Sequence, residues 1–121
     1  MRNGLLLACG AADLAFAAFH LMFWRLFGWP ESLAASGRLN SAITQTMNIM
    51  LTLVFVLYGG KLVALGVQGV PADAYLIASG VLFGLVRSVL QGVLFGLRSA
   101  ASKAFLAVAL TTTALHAAVL L

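Results

Sequence analysis

The chain has 121 residues, of which 63% are hydrophobic and only 8% are charged. Soluble domains carry charges on about a quarter of their residues, so these few polar side chains cannot cover an apolar core of this size in water. The net charge of +4 comes from seven Lys and Arg residues spread singly along the chain, which excludes the basic patch that nucleic-acid binding needs. Composition predicts one integral membrane domain, residues 1–121, surrounded by lipid.

Four apolar runs are long enough to cross a bilayer, whose core of roughly 30 Å takes about 20 helical residues. In chain order they cover residues 4–29, 40–60, 75–97 and 104–121. Pro30 ends the first run, and Lys61 is the first charge after the second. Backbone polar groups cannot stay unpaired in hydrocarbon, so each run should be helical. Short connections make neighbours antiparallel, and the predicted fold is an all-α, up-down bundle of four transmembrane helices.

The segment after the second run is ambiguous. Residues 61–70, KLVALGVQGV, are too apolar for an ordinary loop. They either extend the second helix or lie in the membrane interface, and their glycines leave both alternatives open.

The distribution of basic residues predicts an orientation. One side of the bundle has Arg2 and Lys61. The opposite side carries four basic residues, namely Arg25, Arg38, Arg98 and Lys103. The positive-inside rule places the larger group in the cytoplasm, so we expect a bacterial inner-membrane protein with periplasmic termini.

Each run carries polar residues on one side, because positions seven or eleven apart return to nearly the same face of a helix. We expect the four polar faces to turn inward and form a ligand-binding polar core. Its predicted members are Asp13, His20, Gln45, Asn48, Arg87, Gln91 and His116.

Arg87 stands inside the third run, where a cation costs about 2.5 to 3.5 kcal/mol even on a lenient insertion scale. It should therefore face the interior and meet a partner. Asp13 is the only carboxylate in any run, and helical rise puts the two at similar depths, roughly 14 and 18 Å from one side. We expect an ion pair that either fixes which helices meet or belongs to a ligand or ion site. The remaining alternative is that they do not meet.

The third run contains GVLFGL twice, which creates two pairs of glycines four residues apart. Gly80 and Gly84 form the first pair, and Gly92 and Gly96 form the second. Such pairs permit close helix approach. Twelve residues advance a helix by about 120°, so we expect the two pairs to face different neighbours, one within the chain and one in a partner protomer or subunit. The alternative is that glycine is simply common in membrane helices.

The stretch from His20 to Glu31 is the most distinctive in composition, with four aromatic residues before Pro30. Together with Gln45, Asn48 and Gln91 it makes a plausible pocket. The alternative is an interfacial aromatic anchor beside a snorkelling Arg25.

Two histidines raise the question of haem, because a bis-histidine b haem needs two imidazoles that face each other across a bundle. His20 lies roughly 24 Å and His116 about 8 Å from the same side, so we expect no cofactor and keep haem as a minor alternative. Cys9 is the only cysteine, which excludes an internal disulfide and multi-cysteine metal sites. We expect no metal site.

No paired carboxylates, nucleophile–base set or phosphate loop is present, so we do not expect an enzyme. The leading hypothesis is a channel- or transporter-like binder of a solute or ion that forms homo-oligomers. The alternative is a non-catalytic accessory subunit that packs against a larger respiratory or photosynthetic membrane complex.

Overall fold

The structure is a computed structural model that describes residues 1–121, and its regular secondary structure is entirely helical, with no β-strand. Five α-helices follow in chain order: α1 Arg2–Leu21, α2 Phe23–Leu26, α3 Arg38–Gln68, α4 Ala74–Leu90 and α5 Ala100–Leu120. Four helical segments are long and apolar enough to cross a membrane. They are α1, α3, the segment Ala74–Phe95 formed by α4 and the turn that follows it, and α5. The predictions of an all-helical chain and of four long apolar helices are confirmed.

The first predicted run is divided between two helices. The amide of Met22 bonds to the Phe19 carbonyl, three residues back, instead of continuing the α-helical pattern. The four-residue α2 follows, and Gly28 has a φ of 64°, which a residue with a side chain rarely adopts. A 3₁₀ turn, Glu31–Ser36, leads into α3. A helix therefore does not fill residues 4–29, because the backbone turns before Pro30.

Helix α3 is longer than the second predicted run and settles the ambiguity of residues 61–70. It has 31 residues and continues through Lys61 to Gln68. Gly69, with a φ of 68°, ends it, and the Val70 amide returns to the Leu65 carbonyl at 3.0 Å, which is the Schellman pattern. The helix length is about 46 Å, more than a bilayer core requires.

Helices α4 and α5 begin with side-chain caps. Asp73 accepts hydrogen bonds from the amides of Tyr75 and Leu76 at the start of α4, and Ser99 accepts one from the Ser102 amide at the start of α5. These caps satisfy amides that have no helical partner. Between the helices lies one π-helical turn, Gln91–Phe95.

The residues fall into two compact units, which we describe separately. The central unit is Gly10–Lys61, and the terminal unit combines Met1–Cys9 with Leu62–Leu121. The single-domain assignment stays a prediction. Fully buried apolar side chains of the terminal unit are Leu6, Cys9, Leu62 and Ile77.

Within the central unit, α1 and α3 approach closely at two glycines. A Cβ atom added to Gly59 would lie 2.9 Å from the Gly10 carbonyl oxygen and 3.0 Å from the Asp13 Cβ. Such a distance leaves no room for a methyl group, so the approach depends on glycine. Further along, His20 contacts Asn48, so residue numbers rise on α1 as they fall on α3, and these two helices are antiparallel.

Candidate functional site

The most connected polar group lies in the central unit, where α1 ends beside α3. Asn48 Nδ2 donates to the His20 backbone carbonyl at 2.9 Å. This contact orients the amide, so Asn48 Oδ1 faces the imidazole and accepts a hydrogen bond from His20 Nδ1–H at 2.7 Å. The His20 carbonyl lies in the last turn of α1, where carbonyls lose their helical partners. Asn48 thus caps α1 and fixes the proton on Nδ1.

A second pair joins α2 to α3, one turn further along α3 toward its start. The indole Nε1–H of Trp24 donates to Gln45 Oε1 at 3.0 Å. The other end of the Gln45 amide donates to Ser41 Oγ at 3.2 Å. We call these two pairs, together with Ser41, the central ladder: His20, Trp24, Ser41, Gln45 and Asn48.

Aromatic rings hold the ladder in place. The His20 ring lies 4.5 Å from the Phe23 centroid and stacks on Phe55 at 5.5 Å. Trp24 meets Trp29 edge to face at 5.6 Å. Such contacts restrict ring rotation and exclude water from one side of each ring, so the ladder's donors and acceptors are directed before any ligand arrives.

Two open clefts flank the ladder. The first, of about 510 Å³, is lined by Pro30, Glu31, Ala34, Gly37, Arg38, Ser41, Ala42 and Gln45. The second, of about 410 Å³ and mostly apolar, is lined by Trp29, Thr44, Met47, Asn48, Met50, Leu51 and Val54. Both volumes suit a small molecule. Gln45 lines one cleft and Asn48 the other, so the ladder stands between them.

Arg87 has a different setting in the terminal unit. Its guanidinium carbon lies 4.5 Å from the Phe105 ring centroid and 5.3 Å from that of Phe95, both within cation–π range. Its Nη1 atom is buried and has no hydrogen-bond partner. A buried, unpaired donor is rare in native proteins and calls for an explanation.

Gln91 anchors the connection that follows Arg87. It is buried, and its Nε2 donates to Ser102 Oγ at 2.7 Å. The Ser102 hydroxyl donates in turn to the Gly96 carbonyl. This chain of bonds ties the end of α4 to the start of α5.

Deeper in the same helix pair, α5 packs on Gly84. A Cβ atom there would overlap Thr113 Oγ1 and lie 3.1 Å from the Thr113 Cβ, while Gly92 has open space around its own Cβ position. Gly84 therefore serves packing within the chain. Gly96 has a φ of 70° and follows the π-helical turn, so Gly92 and Gly96 do not form a pair on one α-helical face.

The remaining predicted site residues are placed as follows. His116 is buried, and its Nδ1–H donates to the Thr112 carbonyl at 2.8 Å. Asp13 is buried in the central unit, and Gly80 is partly buried in α4. Asp13 and Arg87 belong to different units, as do the two histidines, so the ion pair and the haem alternative stay predictions.

Sequence reasoning missed three contributors to the Arg87 environment. Ser102 fell in a predicted connection, since the fourth run was placed at 104–121. Phe95 and Phe105 were not among the predicted site residues. The contact of Phe95 with Arg87 crosses the π-helical turn, which leaves no periodic signal, and the contact of Phe105 depends on how α5 packs against α4.

No group of three or more His, Cys, Asp or Glu side chains is arranged to hold a metal ion. No protein-family model, curated protein or solved structure matches the chain.

Proposed function

We propose that the chain is an integral membrane protein whose central ladder and flanking clefts bind a small polar solute, in the manner of a channel or transporter. The observation that carries the proposal is the position of the ladder: Gln45 lines one cleft, and Asn48 lines the other. A solute moving between the clefts would exchange its hydrogen bonds with those of the ladder.

The exposed surface supports insertion into a bilayer. Large apolar side chains cover the outer faces of the long helices, for example Leu57 at 65%, Leu82 at 62% and Val89 at 63% exposure. Exposed apolar area on this scale marks a surface that is covered by another apolar phase. We take that phase to be lipid, with all four long helices crossing it in an up-down arrangement.

The charges of the first cleft indicate a solute class. Its lining includes one carboxylate, Glu31, and one guanidinium, Arg38, together with the hydroxyl of Ser41 and the amide of Gln45. Glu31 repels an anion and Arg38 repels a cation, so a small molecule that carries both charges complements the cleft best.

Binding of glycine to the protein purified in a non-ionic detergent tests this proposal. Glycine supplies both charges, and acetate and methylammonium supply one each. We expect saturable glycine binding by calorimetry, with affinity lowered roughly tenfold or more by Arg38→Gln or Glu31→Gln, since each removes a charged partner. Arg25→Gln is the control, because Arg25 is exposed and lies outside the cleft.

Uptake into liposomes then separates transport from mere binding. Labelled glycine should enter vesicles that contain the protein, and Gln45→Leu should abolish uptake because it removes the ladder's link to the first cleft. Binding by acetate alone, or no binding at all, would refute the zwitterion proposal. A protein that is stable only when it co-purifies with a larger complex would instead support the accessory-subunit alternative.

The proposed orientation places the 3₁₀ turn Glu31–Ser36 in the cytoplasm. A Ser36→Cys variant in a Cys9→Ser background reports this directly, since Ser36 is exposed and Cys9 is the only native cysteine. We expect an impermeant maleimide to label it in inverted vesicles but not in intact spheroplasts. The opposite labelling pattern would reverse the topology.

A further inference from the structure

The Arg87 guanidinium lies near the connection between α4 and α5, well away from its own backbone. Its guanidinium carbon is 5.3 Å from the ring of Phe95, a residue eight positions later, where helical rise alone is about 12 Å. The side chain therefore runs along α4 toward that end, as arginines do when they reach for a polar boundary. Phe105, only five residues after Ala100, the first residue of α5, covers it from the partner helix.

The π-helical turn explains how Phe95 reaches Arg87. In an unbroken α-helix, eight residues rotate the chain to about 80° from the starting face. A π-helical turn contains one additional residue, so Phe95 takes the place that the seventh residue would occupy, about 20° from Arg87. The turn Gln91–Phe95 is held by the buried bond from Gln91 to Ser102. The distortion thus places an aromatic ring over the guanidinium.

This end of the helix pair is basic and has no internal counter-charge. Residues 74–121 contain Arg87, Arg98 and Lys103 and no acidic residue. The single carboxylate of the terminal unit, Asp73, caps the other end of α4, about 21 Å from Arg87 by helical rise.

We propose that the Arg87 guanidinium binds a phosphate group at this end of the terminal unit, with Arg98 and Lys103 adding long-range attraction. Nη1 is the donor that the protein leaves unpaired, and a guanidinium fork matches a phosphate with two parallel hydrogen bonds. Arg87 is only partly buried and Phe95 is 68% exposed, so a small rotation of the phenyl ring opens access to Nη1. The proposal relies on the proposed function only for placing the helices in a bilayer.

Two sources supply this chemistry, an anionic phospholipid headgroup and a soluble phosphate. Purified protein in non-ionic detergent is titrated with phosphatidylglycerol in mixed micelles and, separately, with inorganic phosphate, and phosphatidylcholine serves as the zwitterionic control. Melting temperature and native mass spectrometry report binding. We expect saturable binding of phosphatidylglycerol, of inorganic phosphate, or of both, and weaker binding of phosphatidylcholine. The probe that binds saturably shows whether the phosphate group comes from a lipid headgroup or from a soluble phosphate.

Arg87→Lys keeps the charge but removes the planar fork, and we expect it to weaken binding roughly tenfold or more. Arg87→Gln should abolish saturation. Arg25→Gln, in the central unit, is the control and should bind both phosphate probes like the wild type. If Arg87→Gln does not fold, the affinity of Arg87→Lys alone tests the proposal. Equal affinity of Arg87→Lys and wild type, or no saturable binding of either phosphate probe, would overturn the proposal. Glycine binding should be unchanged in Arg87→Lys, so failure of one proposal is distinguishable from failure of the other.

Discussion

The central ladder and the Arg87 environment are two ways of placing polar groups among apolar helices. In the ladder, Asn48 bonds both to the His20 ring and to the His20 carbonyl, so the amide satisfies the helix end and the imidazole together. Arg87 instead has two phenyl rings over its guanidinium and an unpaired Nη1. The first arrangement stabilises the fold as it stands. The second leaves a buried donor without a hydrogen-bond partner, which is the premise of the phosphate proposal.

The largest effect should come from the close backbone contact between α1 and α3. We expect Gly59→Ala to lower the free energy of unfolding by about 3 kcal/mol, because the new methyl group would lie 2.9 Å from the Gly10 carbonyl oxygen and overpacking a rigid contact costs this much. SDS titration of the protein in micelles measures the loss. Gly60→Ala is the matched control, since its Cβ would meet open space; equal losses would show that the close approach does not matter.

The next effect tests the satisfied side of the comparison. Asn48→Leu keeps the branched shape but leaves the His20 carbonyl and Nδ1 without these partners, which should cost about 2 kcal/mol for partly buried groups. The same titration measures it. Asn40→Ala, which removes a side-chain bond to the Ser36 carbonyl at an exposed position, should change stability little. If both variants melted alike, the ladder would not contribute to stability.

The sequence predicted the ladder better than it predicted the Arg87 environment, for a physical reason. Gln45 and Asn48 share a face of one regular helix, so a period of 3.6 residues was enough to group them. Trp24 lies on α2, beyond the end of α1, and its bond to Gln45 was not predicted. The contact between Arg87 and Phe95 crosses a π-helical turn, and the break at Met22 depends on one backbone hydrogen bond. Neither feature alters the apolar pattern, and periodicity cannot reveal it.

A smaller effect tests the second pair of the ladder, Trp24 and Gln45. Trp24→Phe removes one indole donor and leaves Gln45 Oε1 without this partner, and we expect a loss of about 1 kcal/mol, the usual contribution of one hydrogen bond. Trp29→Phe makes the same change in side-chain size and should lower the stability less. A phenyl ring at position 29 can keep the edge-to-face contact with Trp24. Chemical denaturation followed by the fluorescence of the remaining tryptophan measures both. A larger loss in Trp29→Phe would mean that ring packing outweighs the hydrogen bond.

The smallest effect should come from Arg87→Leu in phosphate-free detergent, although this substitution removes a charge from an apolar helix. The substitution removes a cation–π contact, which lowers the free energy of unfolding by about 0.5 to 1 kcal/mol. It also removes the unpaired buried donor, which raises the free energy of unfolding by a similar amount. We therefore expect the free energy of unfolding to change by no more than about 0.5 kcal/mol, a much smaller change than in Asn48→Leu. The variant should also lose phosphate binding. A loss as large as that of Asn48→Leu would mean that the guanidinium already has a protein partner. The contrast between the two regions would then disappear.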